Sequence, residues 1–266
     1  MKAVITGASS GIGKDMAKIL NEKGYDLVLV ARDEERLQDT KQELEQSNKN
    51  SNANQEKEIS RNNKIEIISM DLTDEEKCKN LAQNVKDVDI LINNAGFGDC
   101  GEFDKTNLDK DISMIKTNIT AYHILTKLYL KQMKEKNSGK ILNVASIAGF
   151  MPGPLMATYY ATKNYVVRLS ESIREELKKD KSNVQISILC PGPVETNFNK
   201  VANVKFKLRE ADSMQVAKYA IKKLEQGNFY IVPGIDVKFA KLGAKITPAN
   251  LLSKITYKVQ KRKLFD

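Results

Sequence analysis

Short runs of β-branched and aliphatic residues recur along the chain with amphipathic stretches between them, and this alternation restricts the fold more than any other feature. KAVIT (2–6), DLVLV (26–30), KIEIIS (64–69), VDILIN (88–93), KILNVA (140–145), VQISILC (184–190) and FYIV (229–232) read as strands. Their near-continuous hydrophobicity is the pattern of strands covered on both faces, as in a parallel sheet. Helical periodicity occupies roughly 12–23, 33–46, 74–84, 107–136, 155–179 and 212–226. Strand and helix alternating so regularly build right-handed βαβ units. The expected fold is therefore α/β, a single doubly wound parallel sheet of about seven strands flanked by helices.

Composition removes several function classes. Of 266 residues, 41% are hydrophobic, enough for a sizeable core. The three cysteines, Cys78, Cys100 and Cys190, are far apart in sequence, so they suggest neither a disulfide framework nor a thiolate zinc site. A reducing, cytoplasmic setting is expected, with no signal peptide ahead of the first strand. His123 is the only histidine, which excludes a multi-histidine metal centre. The uncharged run 141–162 contains Asn143, Gly149, Pro152, Gly153 and Pro154 and makes a poor membrane-spanning helix.

The formal net charge is +9, but residues 238–266 carry eight Lys or Arg against one acid, so that segment holds seven of the nine. Basicity belongs to the tail and not to the body, which argues against nucleic acid as a partner. The chain divides into a body, 1–237, and a basic amphipathic extension, 238–266. In the extension Leu251, Ile255 and Val259 repeat at fourfold spacing among lysines. Such a helix either touches an anionic membrane surface or packs its apolar side on its own domain. Residues 46–64 hold six Asn and one large aliphatic, Ile59, and read as a solvated loop.

The first strand runs directly into Thr6-Gly7-Ala8-Ser9-Ser10-Gly11-Ile12-Gly13 and then a helix. Glycines at 7, 11 and 13 allow a tight turn and let backbone approach a pyrophosphate, which the N–H groups and dipole of the helix start would hold. The strand before and helix after make this a Rossmann-type dinucleotide loop. The same letters match a serine-hydrolase elbow on Ser9, but that chemistry needs a histidine late in the chain.

Further motifs follow in order: Asp71-Leu72, Asn93-Asn94-Ala95-Gly96, Asn118, Ser146, Tyr159-x-x-x-Lys163 and PGPVET at 191–196. With the glycine loop, these make the chain resemble the short-chain dehydrogenase/reductase family over about residues 2–200. The resemblance implies an oxidoreductase that passes hydride between a nicotinamide and a carbonyl or alcohol carbon. Ser146 would bind the substrate oxygen, Tyr159 would be the acid/base, Lys163 would also hold ribose hydroxyls, and Asn118 would hold a relay water. The family spacing selects Tyr159 over the adjacent Tyr160. Asp71 and Leu72 would meet the adenine, Asn94, Ala95 and Gly96 the ribose side, and Pro191, Gly192, Val194 and Thr196 the nicotinamide end.

Residues four apart on a helix share a face, so the Lys163 ammonium is expected beside the Tyr159 phenol, lowering its pKa toward working pH. At the end of the second strand, where an acid would accept bonds from an NAD ribose, the chain has Ala31-Arg32. Arg32 favours NADP(H), with Ser9 as a further donor; NAD(H) stays open because Asp33 follows and Ser10 stands where many NADP-preferring relatives have a basic residue.

Phe97, Ile147, Phe150, Met151, Pro152, Met156, Phe198, Val201 and Phe206 are candidates to line an apolar substrate pocket. Lys200, Lys205 and Lys207 are candidate anion attractors. The expected partner is a small carbonyl or alcohol, and the resemblance implies a homo-oligomer. Two alternatives stay open: a catalytically silent cofactor-binding scaffold, and a membrane-associated lipid carbonyl reductase.

Overall fold

The computed structural model describes residues 1–53, 63–202 and 210–264. Its strands are β1 (Lys2–Thr6), β2 (Asp26–Ala31), β3 (Ile65–Ser69), β4 (Ile90–Asn93), β5 (Lys140–Val144), β6 (Gln185–Leu189) and β7 (Tyr230–Ile231). They pair in parallel in the order β3-β2-β1-β4-β5-β6-β7, the seven-stranded doubly wound sheet expected. Side chains alternate across it: Val4 of β1 enters one core layer and Ala3 and Ile5 the other. Both layers are apolar, which is why these strands read as unbroken hydrophobic runs.

The helices are α1 (Gly11–Glu22), α2 (Glu34–Ala53), α3 (Glu75–Asn84), α4 (Leu108–Ile115), α5 (Ala121–Glu135), α6 (Ala157–Lys179), α7 (Phe198–Val201), α8 (Ser213–Glu225), α9 (Ile235–Ile246) and α10 (Ala249–Leu264). Apolar faces of α1, α2 and α8 cover one side of the sheet, and those of α3, α5 and α6 the other. Strand order reverses between β1 and β4, and the carboxyl ends of those two strands open a crevice at the switch point.

Three expectations need correction. The asparagine-rich segment is not a loop throughout: α2 continues to Ala53. Asn48 is buried, its Oδ1 accepting from Asn21 Nδ2 at 2.9 Å, and Asn63 Nδ2 donates to Asn21 Oδ1 at 2.5 Å and Tyr25 O at 3.0 Å. Amides partner one another here, so low hydrophobicity did not mean lack of structure; residues 54–62 lie outside the described residues. The single helix expected over 107–136 is interrupted by a π turn, Lys116–Thr120, which turns Asn118 fully inward.

The third concerns the tail. Among the tail's described side chains Leu252, Thr256 and Gln260 are buried, while Leu251, Ile255 and Val259 are exposed, so the apolar row does not pack on the domain. On the docking face Thr256 Oγ1 donates to Leu252 O at 3.0 Å and Gln260 Nε2 donates to the Tyr160 hydroxyl, while Gln260 Oε1 is buried without a partner. The preceding helix α9 was not anticipated, and the 237/238 division falls inside it.

Candidate active site

The glycine loop leaves β1 with Gly7 at φ +67° and Gly11 at φ +53°, backbone that L side chains rarely adopt. Gly13 has a different reason to be glycine: a Cβ there would stand 2.4 Å from Gly7 O and from Asn94 Nδ2. The helix start is thus pressed against the turn. Ser10 occupies the N-cap of α1 in extended conformation and makes no side-chain cap, leaving the first helical N–H groups without a side-chain acceptor. This cradle fits a pyrophosphate.

Across the switch point, the end of β4 is tied to the loop. Thr6 Oγ1 accepts from Asn94 N at 2.9 Å and Ala95 N at 3.1 Å, and Asn94 Nδ2 donates to Thr6 O at 3.0 Å and Gly7 O at 3.1 Å. Asn94 therefore binds the protein's own turn with the amide expected on the ribose side. Asn118 Nδ2 donates to Phe97 O at 2.9 Å and Thr162 Oγ1 at 3.1 Å, while its Oδ1 accepts from Phe97 N at 3.2 Å. The π turn thereby fastens the β4 loop to α6. A Cβ on Gly96 would meet Asn118 Oδ1 at 2.9 Å and Lys163 Nζ at 3.4 Å, so both polar groups converge above that glycine.

Ser146 follows β5, caps the turn Ile147–Phe150 through Ala148 N at 3.2 Å, and directs its hydroxyl to Pro191 O at 3.5 Å. One turn on, Lys163 is buried with Nζ 5.8 Å from the centre of the Tyr159 ring. The spacing does bring the pair together, but the expected acidification is absent. Burial pushes the Tyr159 phenol up to about 12, opposed by the nearby Ser146 hydroxyl. Burial likewise holds Lys163 down at about 8, and its ammonium donates to Val144 O at 2.9 Å rather than to the phenol. Tyr160 lies behind, its hydroxyl taken by Gln260.

A cleft of about 430 Å³ joins these pieces, running from Gly7, Ser9, Ser10, Gly11 and Ile12 past Arg32, Asp71 and Leu72 to Ala95, Gly96, Ser146, Tyr159 and Lys163. Pro191, Gly192, Val194 and Thr196 close its far side, and Thr196 Cγ2 would lie 2.9 Å from a Cβ on Gly11. Asp33 does not offer a free carboxylate: Oδ1 accepts from Arg36 N at 3.0 Å and Oδ2 pairs with Arg36 Nε at 3.2 Å. Asp71 Oδ1 accepts from Thr73 N at 2.9 Å.

The short chain dehydrogenase family model matches residues 1–205 of this chain. The chain belongs to that family. An uncharacterized oxidoreductase of Staphylococcus aureus strain USA300 is 30% identical over 232 residues, covering 85% of this chain and 93% of that protein. A short-chain dehydrogenase from Sphingobium yanoikuyae in complex with NADPH superposes with a TM-score of 0.79 at 26% identity, covering 92% of both chains. The bulky-bulky ketone specific alcohol dehydrogenase of Comamonas testosteroni gives 0.75 at 26%, covering 92% of this chain and 93% of that one.

In this short-chain dehydrogenase, Phe97, Ile147, Met156, Phe198 and Val201 line the cleft, whereas Phe150, Met151 and Pro152 do not. Phe150 is drawn off by the Tyr230 ring, 6.1 Å away, and by Lys241. Phe206, Lys205 and Lys207 lie outside the described residues, as does the side chain of Lys200. His123, on α5, hydrogen-bonds Tyr165 on α6 at 2.7 Å, away from the cleft. Sequence reasoning missed Arg36, Met70 and Thr117 on the lining. Arg36 had a legible signal, since it lies in the first turn of the helix that follows the second strand and Arg32.

Proposed function

We propose that the protein interconverts a carbonyl compound and its alcohol with NADP(H), Tyr159 giving and taking the proton. The observation that carries this reading is the meeting of Ser146, Tyr159 and Lys163 in the cleft that begins at the uncapped start of α1. The dinucleotide, when bound, supplies or accepts the hydride at its nicotinamide. The rest falls to the chain. Backbone N–H groups from Gly11 onward would hold the pyrophosphate, and Gly96 would leave room near Lys163 for the ribose. Ser146 donates to the substrate oxygen, and Tyr159, neutral at ordinary pH, passes its proton to that oxygen as negative charge develops. Lys163 is the buried cation nearest the phenol and favours the phenolate once the proton has left. Asn118, expected to hold a relay water, is fully buried, does not line the cleft and is bonded to Phe97 and Thr162, so its part is to position the β4 loop beside Lys163.

NADP(H) is favoured because Arg32 and Arg36 flank the adenosine end and Asp33, the acid next to Arg32, is engaged by Arg36 and the start of α2. Phe97, Met156 and Phe198 favour an apolar ketone or aldehyde. The bulky-bulky ketone specific alcohol dehydrogenase among the structural relatives supports that substrate class.

Absorbance of NADPH and NADH, followed against a panel of apolar ketones and aldehydes, tests the reading. Turnover with NADPH, lost in Tyr159→Phe, is expected. Binding of NADPH with no turnover of any member would instead favour a cofactor-binding scaffold.

A further inference from the structure

We propose that α9 and α10 form a face that seats the protein on an anionic lipid surface. On α9 the residues Ile235, Phe239, Leu242 and Ile246 are spaced by four, three and four, which places them in one stripe. All four are 57–74% exposed. This inverts the ordinary arrangement, in which the apolar stripe of a surface helix faces the core. On α10 the row Leu251, Ile255 and Val259 is likewise outward, at 41–52%.

Neither helix is exposed for want of docking. Val237 of α9 is buried, with Cγ2 2.9 Å from where a Cβ on Gly192 would stand, and Lys241 lies 3.1 Å from the centre of the Tyr230 ring. α10 is held by Gln260 on Tyr160. Each helix therefore packs through one side and presents an apolar row on another.

Charge identifies the occupant. Lys238 and Lys245 border the α9 stripe, and Lys254, Lys258 and Lys261 border the α10 row; Asp236 is the only acid between 235 and 261. Apolar side chains beside lysines match a headgroup layer, where the aliphatic and aromatic groups enter the acyl boundary and the ammonium groups meet lipid phosphates. A second copy docking by the same face would bring these lysines against one another. Among the described residues no helix is long and apolar enough to cross a membrane, so the contact is one of lying on the surface.

The chain has no tryptophan, so Phe239→Trp provides a single reporter on the stripe. Its emission should shift to the blue with vesicles of phosphatidylcholine containing one third phosphatidylglycerol, and not with phosphatidylcholine alone. The full-length protein should sediment with the anionic vesicles and be released by salt. Phe239→Glu/Leu242→Glu should weaken that binding at least about tenfold, while circular dichroism and NADPH binding stay unchanged. Absence of sedimentation with anionic vesicles, or equal sedimentation of the double variant, overturns the proposal. So does a dimer, seen by analytical ultracentrifugation without lipid, that the double variant converts to monomer: the stripe would then be a self-association face.

Discussion

Lys163 Nζ donates to Val144 O at 2.9 Å and stands 5.8 Å from the centre of the Tyr159 ring. The ammonium is thus held by the end of β5, one turn from the phenol it is meant to assist, and its charge is carried at a site only 4% exposed. Burial therefore dominates both members of the pair, raising the phenol and lowering the amine.

A stability measurement reads this directly. Lys163 has a folded-state pKa near 8 against 10.5 when unfolded, so between those values the unfolded chain binds more protons and stability rises with pH. Relative to Lys163→Met, the wild type should gain up to about 3 kcal/mol as pH climbs from 8 to 10.5, and nothing below 8. Urea denaturation of both proteins across that range checks it; parallel curves would show that the amine titrates normally.

Tyr159→Phe keeps the ring that packs at 5.2 Å against Phe198 and removes only the hydroxyl. NADPH affinity should be unchanged while turnover falls about 10²–10⁴-fold, the usual contribution of a positioned proton donor. Fluorescence titration with NADPH beside initial rates separates the two. Wild-type rates in the variant would remove Tyr159 from the chemistry.

The two arginines at the adenosine end should divide the cofactor preference. Arg36→Ala should raise KM for NADPH about tenfold and leave NADH alone, the loss of one charge-assisted contact. Arg32→Asp should turn the preference toward NADH by replacing a phosphate partner with a ribose acceptor. Steady-state kinetics with both cofactors decide the matter, and unchanged ratios would mean that neither guanidinium meets the 2′-phosphate.

Two glycine substitutions should act in opposite directions. Gly13→Ala puts a methyl 2.4 Å from Gly7 O, and the cradle must open; a loss of about 1–3 kcal/mol together with weakened NADPH binding is expected. Gly243→Ala, in α9 with nothing within 4 Å of the added carbon, should stabilise by up to about 1 kcal/mol through helix propensity. Thermal melts of the pair suffice.

Much of this molecule was legible from its letters because the signals are local. Continuous apolar runs mark strands covered on both faces, and all seven expected strands are present, with ends within about two residues of those read. The glycine loop is a matter of adjacent residues, and Tyr159 and Lys163 share a helix face by the period of the helix alone. Asp33 as the cap of α2 was likewise readable from its place before Glu34.

What escaped depended on partners distant in sequence. The π turn around Asn118 has no proline or glycine to announce it and is fixed by bonds to Phe97 and Thr162. Asn48 belongs to a helix because Asn21, 27 residues earlier, takes its amide. In α10 the hydrophobic row predicted one docking side and the domain accepted another.

The sequence by itself determined the sheet, the dinucleotide turn and the membership of the Ser-Tyr-Lys set, since each follows from short-range periodicity and residue type. Tertiary packing alone decided the protonation balance of Tyr159 and Lys163, the inward turn of Asn118, and the outward turn of the C-terminal apolar rows. Desolvation and long-range hydrogen bonding depend on what surrounds a side chain in space, and neighbours along the chain do not specify that.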